Sequence, residues 1–347
     1  MALYEPVVPA RYTARLVELL REQGAGTVSG VLAAAGIEAS SLADPDFPLG
    51  FERFDALFGG LARRTGRSDL GFELGLSIGR ESHGALGLAM RQCPTVAGLL
   101  QLAARHSRLM TPSFTLRLQR DGEGGELVWR PAAGMSATML QAFYEIHVVS
   151  LYRVLAEALG APPPAYVSSL PMPRPRHAAR YRELPGLSVR FEPRPLPEVH
   201  TRLPAALLEA PLPAAGGGGD GAPDGEALSA LGRRHGPSAH WSDWLRLMLR
   251  EADGVQPTQA QMAGLLNVSA HTLARRLTAE GQRYRRIAVE VRHARACELL
   301  LRTRLDLARI AQRLGYGETS NFIHAFRRQA GIGPGAWRAR GGDPPQP

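Results

Sequence analysis

A short pattern that occurs twice toward the C-terminal end limits the possible folds of this chain more than any other feature. In each copy, an apolar segment leads through a turn into a second segment that carries two large apolar side chains about one helical turn apart. The first copy runs from Met262 to Leu277 and turns at Asn267, and the second runs from Ile310 to Phe326 and turns at Gly315. Two short helices of this kind, the second apolar on one face and polar on the other, predict a helix-turn-helix in each copy.

The segment between the two copies predicts one long helix. Ile287, Val291, Ala294 and Leu301 repeat at helical spacing within residues 284–303, and no Gly or Pro interrupts them. At roughly 1.5 Å per residue this helix is about 30 Å long. That length is close to the roughly 34 Å between successive major-groove faces on one side of the DNA duplex.

Positive charge is concentrated in the same region. Residues 250–340 contain 16 Arg and 7 acidic residues, a net charge of +9, which equals the net charge of the entire chain. A chain-wide excess would indicate only solubility or unspecific association, whereas charge confined to the repeated unit marks a surface that binds a polyanion. The pattern therefore predicts double-stranded DNA as the partner, contacted in successive major grooves.

Length and composition set broad limits. A length of 347 residues predicts two domains, and all 41 basic residues are Arg because the chain has no Lys. Cys93 and Cys297 lie far apart in unlike contexts, which disfavours a structural disulfide and a zinc site. No apolar run is long enough for a membrane span, and the N-terminus lacks the features of a signal peptide. We expect a cytoplasmic protein without a metal or a cofactor.

The N-terminal part mixes helical and strand patterns, which predicts an α+β domain over residues 1–213. Predicted helices span 11–21, 51–61, 96–110 and 135–159, and Thr27 is expected to cap a further helix. Predicted strands span 114–118, 127–129, 166–170 and 187–191, the first two joined by a hairpin turn. The Gly-rich run 83–90 is compatible with either a strand or a helix.

The C-terminal part predicts an all-α domain over residues 236–340, with two helix-turn-helix motifs joined by the long helix. A run rich in Gly and Pro lies within 214–235 and predicts an interdomain linker, and residues 341–347 are expected to be a disordered tail. Ser269 and Asp306 are expected to cap helices, and Thr258 with Gln261 predicts a capping box.

Several stretches carry a resemblance to a known family. They are Met262 to Leu277, Ile310-Ala311 with Leu314-Gly315-Tyr316, Ser320 to Arg328, Gly331 to Pro334, and Trp337-Arg338. Together they resemble the DNA-binding domain of AraC/XylS-type transcription regulators. More loosely, residues 69–75, Gly84 to Gly87 and Pro94-Thr95 are similar to the sensor domain of the arabinose-binding-like branch.

The resemblance implies which side chains contact DNA. Base-reading residues would be His271, Ala274 and Arg275 in the first copy, and Thr319, Ser320 and His324 in the second. The polar neighbours Thr272, Arg276, Asn321, Arg327 and Arg328 complete the expected DNA-binding set. The chain departs from the family at His324, where Arg is frequent, and at Arg309, where a Glu usually closes a capping box.

These side chains also have plainer interpretations. Arg275 projects away from the apolar stripe of its helix, which favours a DNA contact over an ordinary solvated charge. For His271, a DNA contact and a merely polar surface position are about equally compatible with the pattern. Phe322, Phe326 and Trp337 are better explained as packing than as platforms for bases.

The N-terminal domain contains polar and aromatic residues that are candidates for binding a small metabolite. The candidates are Arg91, His106, Arg108, Tyr144 and His147, and His83 belongs to the same group. Each of them taken alone is more often a surface residue or a buried residue with its own partner.

The combined pattern predicts a sequence-specific transcription regulator whose N-terminal domain senses a small-molecule effector and modulates promoter binding. RNA polymerase and a second copy of the chain are further expected partners, the second copy on the strength of the resemblance alone. Two alternatives stay open: an enzyme domain fused to a DNA-binding unit, and an architectural DNA binder that senses nothing. We expect no catalytic residue, because no activated-nucleophile motif and no metal-binding His/Glu pair is present.

Overall fold

The structure, a computed structural model, describes residues 7–22, 28–132, 135–192, 196–213, 241–251, 256–265 and 268–341. Contacts define two compact units, one with the described residues of 7–192 and 198–213 and the other with residues 196–197 and the described residues of 241–341. The predicted linker, the tail beyond Gly341, Thr27 and the turn residue Asn267 lie outside the described residues. None of the described helices is long and apolar enough to cross a membrane.

The first unit combines helices with two antiparallel or mixed sheets, which confirms the predicted α+β class. Its helices are α1 (Ala10–Glu22), α2 (Val28–Ala34), α3 (Phe51–Thr65), α4 (Leu70–Ser77), α5 (Ala85–Met90), α6 (Val96–Arg105), α7 (Ala137–Leu159) and α8 (Ala205–Leu208). Its strands are β1 (Val7–Pro9), β2 (Pro48–Gly50), β3 (Phe114–Asp121), β4 (Gly124–Pro131), β5 (Tyr166–Leu170), β6 (Leu187–Phe191) and β7 (Val199–Pro204).

The larger sheet has five strands in the order β3-β4-β7-β5-β6. β3 and β4 form the predicted hairpin, with Phe114 opposite Pro131 and Asp121 opposite Gly124. All neighbouring strands are antiparallel except β5 and β6, which are parallel. β1 and β2 form a separate two-stranded ladder.

Helix α7 is buried along most of its length and packs closely against α4. Two glycines of α4 allow this approach. A Cβ on Gly75 would lie 2.7 Å from Cβ of Val149, and a Cβ on Gly71 would lie 2.9 Å from the carbonyl oxygen of Ala142. The glycines of the 69–75 stretch are therefore explained by helix packing.

The second unit is entirely helical in its described part. Its helices are α9 (Trp241–Glu251), α10 (Gln259–Leu265), α11 (Ala270–Ala279), α12 (Tyr284–Arg302), α13 (Leu307–Arg313), α14 (Thr319–Ala330) and α15 (Pro334–Ala339). The pairs α10–α11 and α13–α14 are the two predicted helix-turn-helix motifs, and α12 joins them. We call α11 and α14 the reading helices and α12 the spacer helix.

The predicted helix caps of the second unit are confirmed. The hydroxyl oxygen of Ser269 accepts the backbone N–H of Thr272 at 3.1 Å, and the Asp306 carboxylate accepts that of Arg309 at 2.7 Å. Thr258 and Gln261 form both bonds of a capping box. These contacts satisfy N–H groups that the first turn of a helix leaves without a partner.

Each helix-turn-helix has its own apolar core. The first core is built around Trp244, Leu273, Leu277 and Ile287, and the second around Leu300, Ile310, Phe322 and Phe326. The spacer helix contributes to both cores, since Ile287 and Leu300 lie in its first and last turns. Tertiary packing at both ends thus fixes the position of the spacer helix within this unit.

Two side chains form hydrogen bonds with backbone groups at helix ends, and the sequence pattern did not predict these bonds. The Glu280 carboxylate accepts the backbone N–H groups of Trp241 at 2.7 Å and Ser242 at 2.9 Å, which completes the start of α9. The Arg338 guanidinium donates to the carbonyl oxygens of Leu300 at 3.0 Å and Leu305 at 2.6 Å, which completes the end of the spacer helix. The Trp337-Arg338 pair therefore has a structural role.

Some sequence expectations differ from the structure. The ambiguous run 83–90 is helical in α5, and β7 and α4 were not predicted. Ala294 and Leu301 of the spacer helix are exposed, and Ala296 and Leu300 are buried in their place. The buried face at the C-terminal end of the spacer helix differs from the predicted one because the second core contacts a different side of this helix than the first core does.

Candidate nucleic-acid interface and internal cavity

The first reading helix presents a polar face opposite its buried stripe. Leu273 and Leu277 are fully buried, while His271, Arg275 and Thr278 are exposed. At about 100° per residue these three side chains share the face that points away from the core. Thr278 was missed by sequence reasoning, although its spacing from Arg275 places it on the same face.

Three other predicted DNA-binding residues of this helix occupy its flanks. The Thr272 hydroxyl lies 3.0 Å from that of Ser269, and Ala274 is half-buried. The Arg276 guanidinium lies over the Trp241 ring, 5.8 Å from its centroid. Both arginines are exposed, but Arg276 contacts the Trp241 side chain of α9 and Arg275 points away from the core.

The second reading helix repeats the arrangement. Phe322 and Phe326 are buried, and the exposed side chains are Ser320, Asn321, His324, Arg327 and Arg328. Thr319 is half-buried at the first position of the helix. The Ser320 hydroxyl donates to the Glu318 carboxylate at 3.1 Å. The predicted set of the second copy is thus brought together on one helix.

Two arginines of the spacer helix have carboxylate partners, whereas three arginines of the reading helices have none among the described residues. In the spacer helix Arg286 pairs with Glu290 at 2.8 Å, and Arg302 pairs with Glu298 at 3.3 Å. Among the described residues, Arg275, Arg327 and Arg328 form no ion pair. Their charge is left uncompensated by protein carboxylates, as a phosphate-binding surface requires.

The spacer helix is unbroken over Tyr284–Arg302, a run of 19 residues. At roughly 1.5 Å per residue its length is about 28 Å. The Gln256 amide donates to the Ala288 carbonyl at 2.9 Å, and the Tyr284 hydroxyl donates to the Pro257 carbonyl, so the first helix-turn-helix is tied to the spacer. The predicted continuous helix is confirmed.

The first unit contains an internal cavity of about 70 Å³. Its wall is formed by β1, β3, β4 and helices α1 and α3 to α7, with segments between them, and most lining residues are apolar. Within the described residues the lining includes no Asp, Glu or Arg. Its polar members are Tyr12, His83, Thr111, His147 and Ser150, together with the indole of Trp129.

Trp129 and His147 form the aromatic end of this cavity. Their rings are stacked, with centroids 4.3 Å apart and an interplanar angle of 3°, and the Phe114 ring meets His147 edge-on at 4.5 Å. Both side chains are buried. Among the described residues, Nε1 of Trp129 and Nδ1 of His147 have no hydrogen-bond partner.

Burial keeps the cavity uncharged. It lowers the pKa of His147 to about 3. Burial, with a smaller contribution from the positive charge of Arg11, lowers the pKa of His83 to about 4. The Tyr12 hydroxyl lies 2.9 Å from Nδ1 of His83, and burial raises the pKa of Tyr12. At neutral pH all three side chains are therefore neutral.

Of the six candidate ligand-binding residues, the structure places His83 and His147 in the cavity wall. Arg91 is exposed and pairs with Glu81 at 3.0 Å. His106 and Tyr144 are buried elsewhere and Arg108 is half-buried, with burial lowering the pKa of both His106 and Arg108. Sequence reasoning missed Tyr12 and Trp129, which give no local motif because they come from α1 and β4.

Comparison with known proteins identifies both units. Residues 26–212 match the family described as the arabinose-binding domain of AraC transcription regulators, and residues 262–340 match a helix-turn-helix domain. The chain belongs to the AraC family of transcription regulators. Because the first match covers more than half of the chain, the resemblance inferred from the sequence is confirmed.

Similar proteins include regulators of the same length. The regulator is 27% identical over 332 residues to the ornithine utilization regulator of Pseudomonas aeruginosa, with 96% of each chain covered. It is 29% identical over 357 residues to a helix-turn-helix-type transcriptional regulator of Mycobacterium tuberculosis, again with 96% of each covered. The crystal structure of CdpR from Pseudomonas aeruginosa is 25% identical, with 90% of this chain and 96% of that chain covered and a TM-score of 0.40.

The regulator therefore joins an arabinose-binding-like ligand domain to a helix-turn-helix DNA-binding domain. The two family matches establish this division of the chain.

Proposed function

We propose that the regulator reads a promoter with both reading helices at once. His271 and Arg275 on the first helix, and Ser320 and His324 on the second, contact base edges. Thr272, Ala274, Thr319 and Asn321 lie beside them at the groove. A few base-edge contacts specify sequence, while phosphate contacts supply much of the affinity.

One observation supports this proposal. Each reading helix has an exposed polar face with at least one arginine that forms no ion pair, and one unbroken spacer helix joins the two motifs. Arg327 and Arg328 are suited to phosphate because no described carboxylate neutralises them. Arg275 presents the bidentate donor geometry that suits the O6 and N7 atoms of guanine. The spacer length of about 28 Å is close to the groove repeat of roughly 34 Å.

We propose that the internal cavity of the ligand domain binds a small-molecule effector and that occupancy changes promoter binding. The cavity lies inside the arabinose-binding-like domain and has unpartnered polar atoms in its wall. A bound effector would stabilise the domain by RT ln(1 + [L]/Kd), where [L] is the effector concentration and Kd its dissociation constant. L-Ornithine, which the name of the ornithine utilization regulator contains, is the charged compound to include in an effector screen, and the cavity lining has no charged residue to pair with it.

Further partners follow from the family and are part of the proposal. We expect the regulator to act in the cytoplasm, to contact RNA polymerase and to associate with a second copy. Analytical ultracentrifugation of the full chain checks the association with a second copy, since a homodimer has twice the molecular mass of the single chain.

An enzymatic activity has little support in the described residues. Burial raises the pKa of the half-buried Cys93, so its thiol is poorly suited to act as a nucleophile. A turnover reaction of the purified protein that a thiol alkylator abolished would instead support an enzyme domain fused to a DNA-binding unit.

Selection of preferred sites from random duplex DNA tests the assignment of base-reading residues. The full-length protein should enrich one sequence with two conserved segments. Arg275→Ala should relax base preference at one position, with a loss of about 1 to 3 kcal/mol of discrimination there. His324→Ala should relax the other segment.

Arg286→Ala is the matched control, because it removes the same charge from an exposed residue that pairs with Glu290. It should leave base preference unchanged. Enrichment of no preferred sequence by the wild-type protein would instead support an architectural DNA binder.

A further inference from the structure

Two residues that line the internal cavity each have a buried ring nitrogen without a partner. Trp129 is 6% exposed and His147 is 5% exposed, and among the described residues Nε1 of the first and Nδ1 of the second form no hydrogen bond. A buried polar atom without a partner is unfavourable, and such atoms are usually paired with protein or with a bound molecule. Both residues line the same cavity.

The rest of the wall restricts what can occupy this space. Leu99, Leu100, Leu127 and Phe143 are among the many apolar lining residues, and the described lining contains no carboxylate or guanidinium. His83 and His147 are neutral at physiological pH because burial lowers their pKa values to about 4 and about 3. An ion entering the cavity would lose its hydration without gaining a counter-charge.

Sugars fit this wall poorly. A pentose carries several hydroxyl groups, and each of them needs a hydrogen-bond partner once water is excluded. The unpartnered nitrogens of Trp129 and His147 can serve one polar group of a ligand, whereas Tyr12 and His83 already pair with each other at 2.9 Å. The Ser150 hydroxyl donates to the His147 carbonyl at 3.3 Å, so Thr111 is the one further polar side chain of the described lining, too few for the hydroxyl groups of a pentose. The domain therefore has an arabinose-binding-like fold and a cavity of different chemistry.

We propose that the effector is a small, uncharged and mainly apolar molecule with one hydrogen-bonding group. That group, such as a hydroxyl or carbonyl, lies against Nε1 of Trp129 and Nδ1 of His147, and the apolar part contacts the aliphatic wall. This inference rests on the proposed effector-binding function and specifies the chemical class that the cavity selects.

Nuclear magnetic resonance of the full-length protein tests the inference directly at Trp129. The chain has 4 Trp residues, and Trp129 is the one in the ligand domain, so the indole signals of Trp241, Trp244 and Trp337 are internal references. Trp129→Phe assigns the signal. Titration uses 1-butanol, 1-pentanol and 1-hexanol, with hexanoate and L-arabinose as charged and polyhydroxylated counterparts.

The alcohols should shift the Trp129 indole signal and leave the three reference signals in place. Each added methylene should raise affinity about fourfold until the cavity is filled. Hexanoate at pH 7.5 should bind at least about tenfold more weakly than 1-hexanol, and L-arabinose should leave the signal unmoved.

Two variants locate the binding mode. Ala103→Leu adds volume to the cavity wall and should abolish the shift caused by 1-hexanol, with circular dichroism to show that the fold is intact. His147→Phe keeps an aromatic ring beside Trp129 and removes the nitrogen, so alcohol affinity should fall by about tenfold while the methylene increment persists.

The wild-type titrations decide the inference even if a variant fails to fold. Absence of a Trp129 shift with any alcohol, or tighter binding of hexanoate or L-arabinose, would overturn it. The second result would leave a small-molecule sensor in place and so would separate this inference from the proposed function. A promoter footprint that no compound alters would count against the proposed function instead.

Discussion

Arg275 and Arg276 are adjacent in sequence but occupy different surfaces of the first reading helix. Arg275 is exposed on the face opposite Leu273 and Leu277, whereas the Arg276 guanidinium lies over the Trp241 ring at 5.8 Å. A step of about 100° around the helix separates the position that we propose to contact a base from the position that packs on Trp241. The sequence could place Arg275 but could not show that Trp241 lies beside Arg276.

Arg276→Ala should therefore lower the free energy of unfolding and leave base preference largely unchanged. An exposed cation–π contact contributes about 0.5 to 1 kcal/mol, which sets the expected loss in the free energy of unfolding. Urea unfolding followed by Trp fluorescence measures it, with Arg275→Ala as the matched control. Equal stability of the two variants would show that the Trp241 contact contributes nothing.

The buried histidines of the cavity make stability depend on pH. Their pKa values in the folded protein, about 3 for His147 and about 4 for His83, lie below the unfolded value of 6.5. Protonation therefore favours the unfolded state, and the stability due to the neutral rings is present above pH 6.5 and lost as pH falls below it. Each histidine should contribute a loss of roughly 1.4 kcal/mol per pH unit between 6.5 and its folded pKa.

Urea unfolding of the ligand domain between pH 7.5 and pH 5 checks this expectation. His147→Gln should reduce the slope of stability against pH by about the contribution of one histidine. An unchanged slope would mean that His147 is hydrated or protonated in the folded protein.

At the level of elements, the close contact of α4 with α7 depends on glycine. Gly75→Ala would place a Cβ 2.7 Å from Cβ of Val149, a branched side chain in a buried helix. Overpacking of this kind should destabilise the ligand domain by about 1 to 3 kcal/mol.

Gly59→Ala in α3 is the matched control, since its Cβ would meet only the flexible end of Arg63 at 3.4 Å. There the gain in helix propensity should stabilise the domain by about 0.5 to 1 kcal/mol. Thermal unfolding compares the two substitutions. A stabilising Gly75→Ala would contradict the packing described for α4.

Elements with strong local patterns could be predicted, and elements defined by distant partners could not. The reading helices, the spacer helix and the hairpin of β3 and β4 follow from periodicity, caps and turn residues. Strand β7 does alternate, with Val199, Thr201 and Leu203 buried, but its six residues follow a Pro-rich stretch that obscured the pattern. Its place between β4 and β5 is set by pairing across the sheet.

The cavity was beyond sequence reasoning for a related reason. Its wall combines short contributions from many elements, so Tyr12, Trp129 and His147 become neighbours only in the folded domain. By residue type alone, Arg91 and Arg108 are stronger candidates for ligand contact than apolar or aromatic side chains. The structure instead places apolar surface around two neutral histidines, because a buried pocket excludes unpaired charge.

At the scale of the whole molecule, the region that we propose to bind DNA and the cavity that we propose to bind an effector differ in charge. Residues 250–340 carry a net charge of +9, while the cavity of the ligand domain has no charged residue in its described lining. The DNA-binding unit therefore attracts a polyanion over its surface, and the ligand domain selects by apolar shape and a single polar contact. The central claim is that one spacer helix sets two reading helices on successive major grooves of one face.

Changing the spacing of the DNA half-sites tests this claim most directly. Once the preferred site is selected, insertion of 5 base pairs between its two segments turns them to opposite faces of the duplex, and insertion of 10 restores the face but doubles the distance. Fluorescence anisotropy should show that each insertion lowers the affinity of the full-length protein to that of a site with one segment scrambled. Affinity that survives both insertions would contradict simultaneous reading by helices held at a fixed distance.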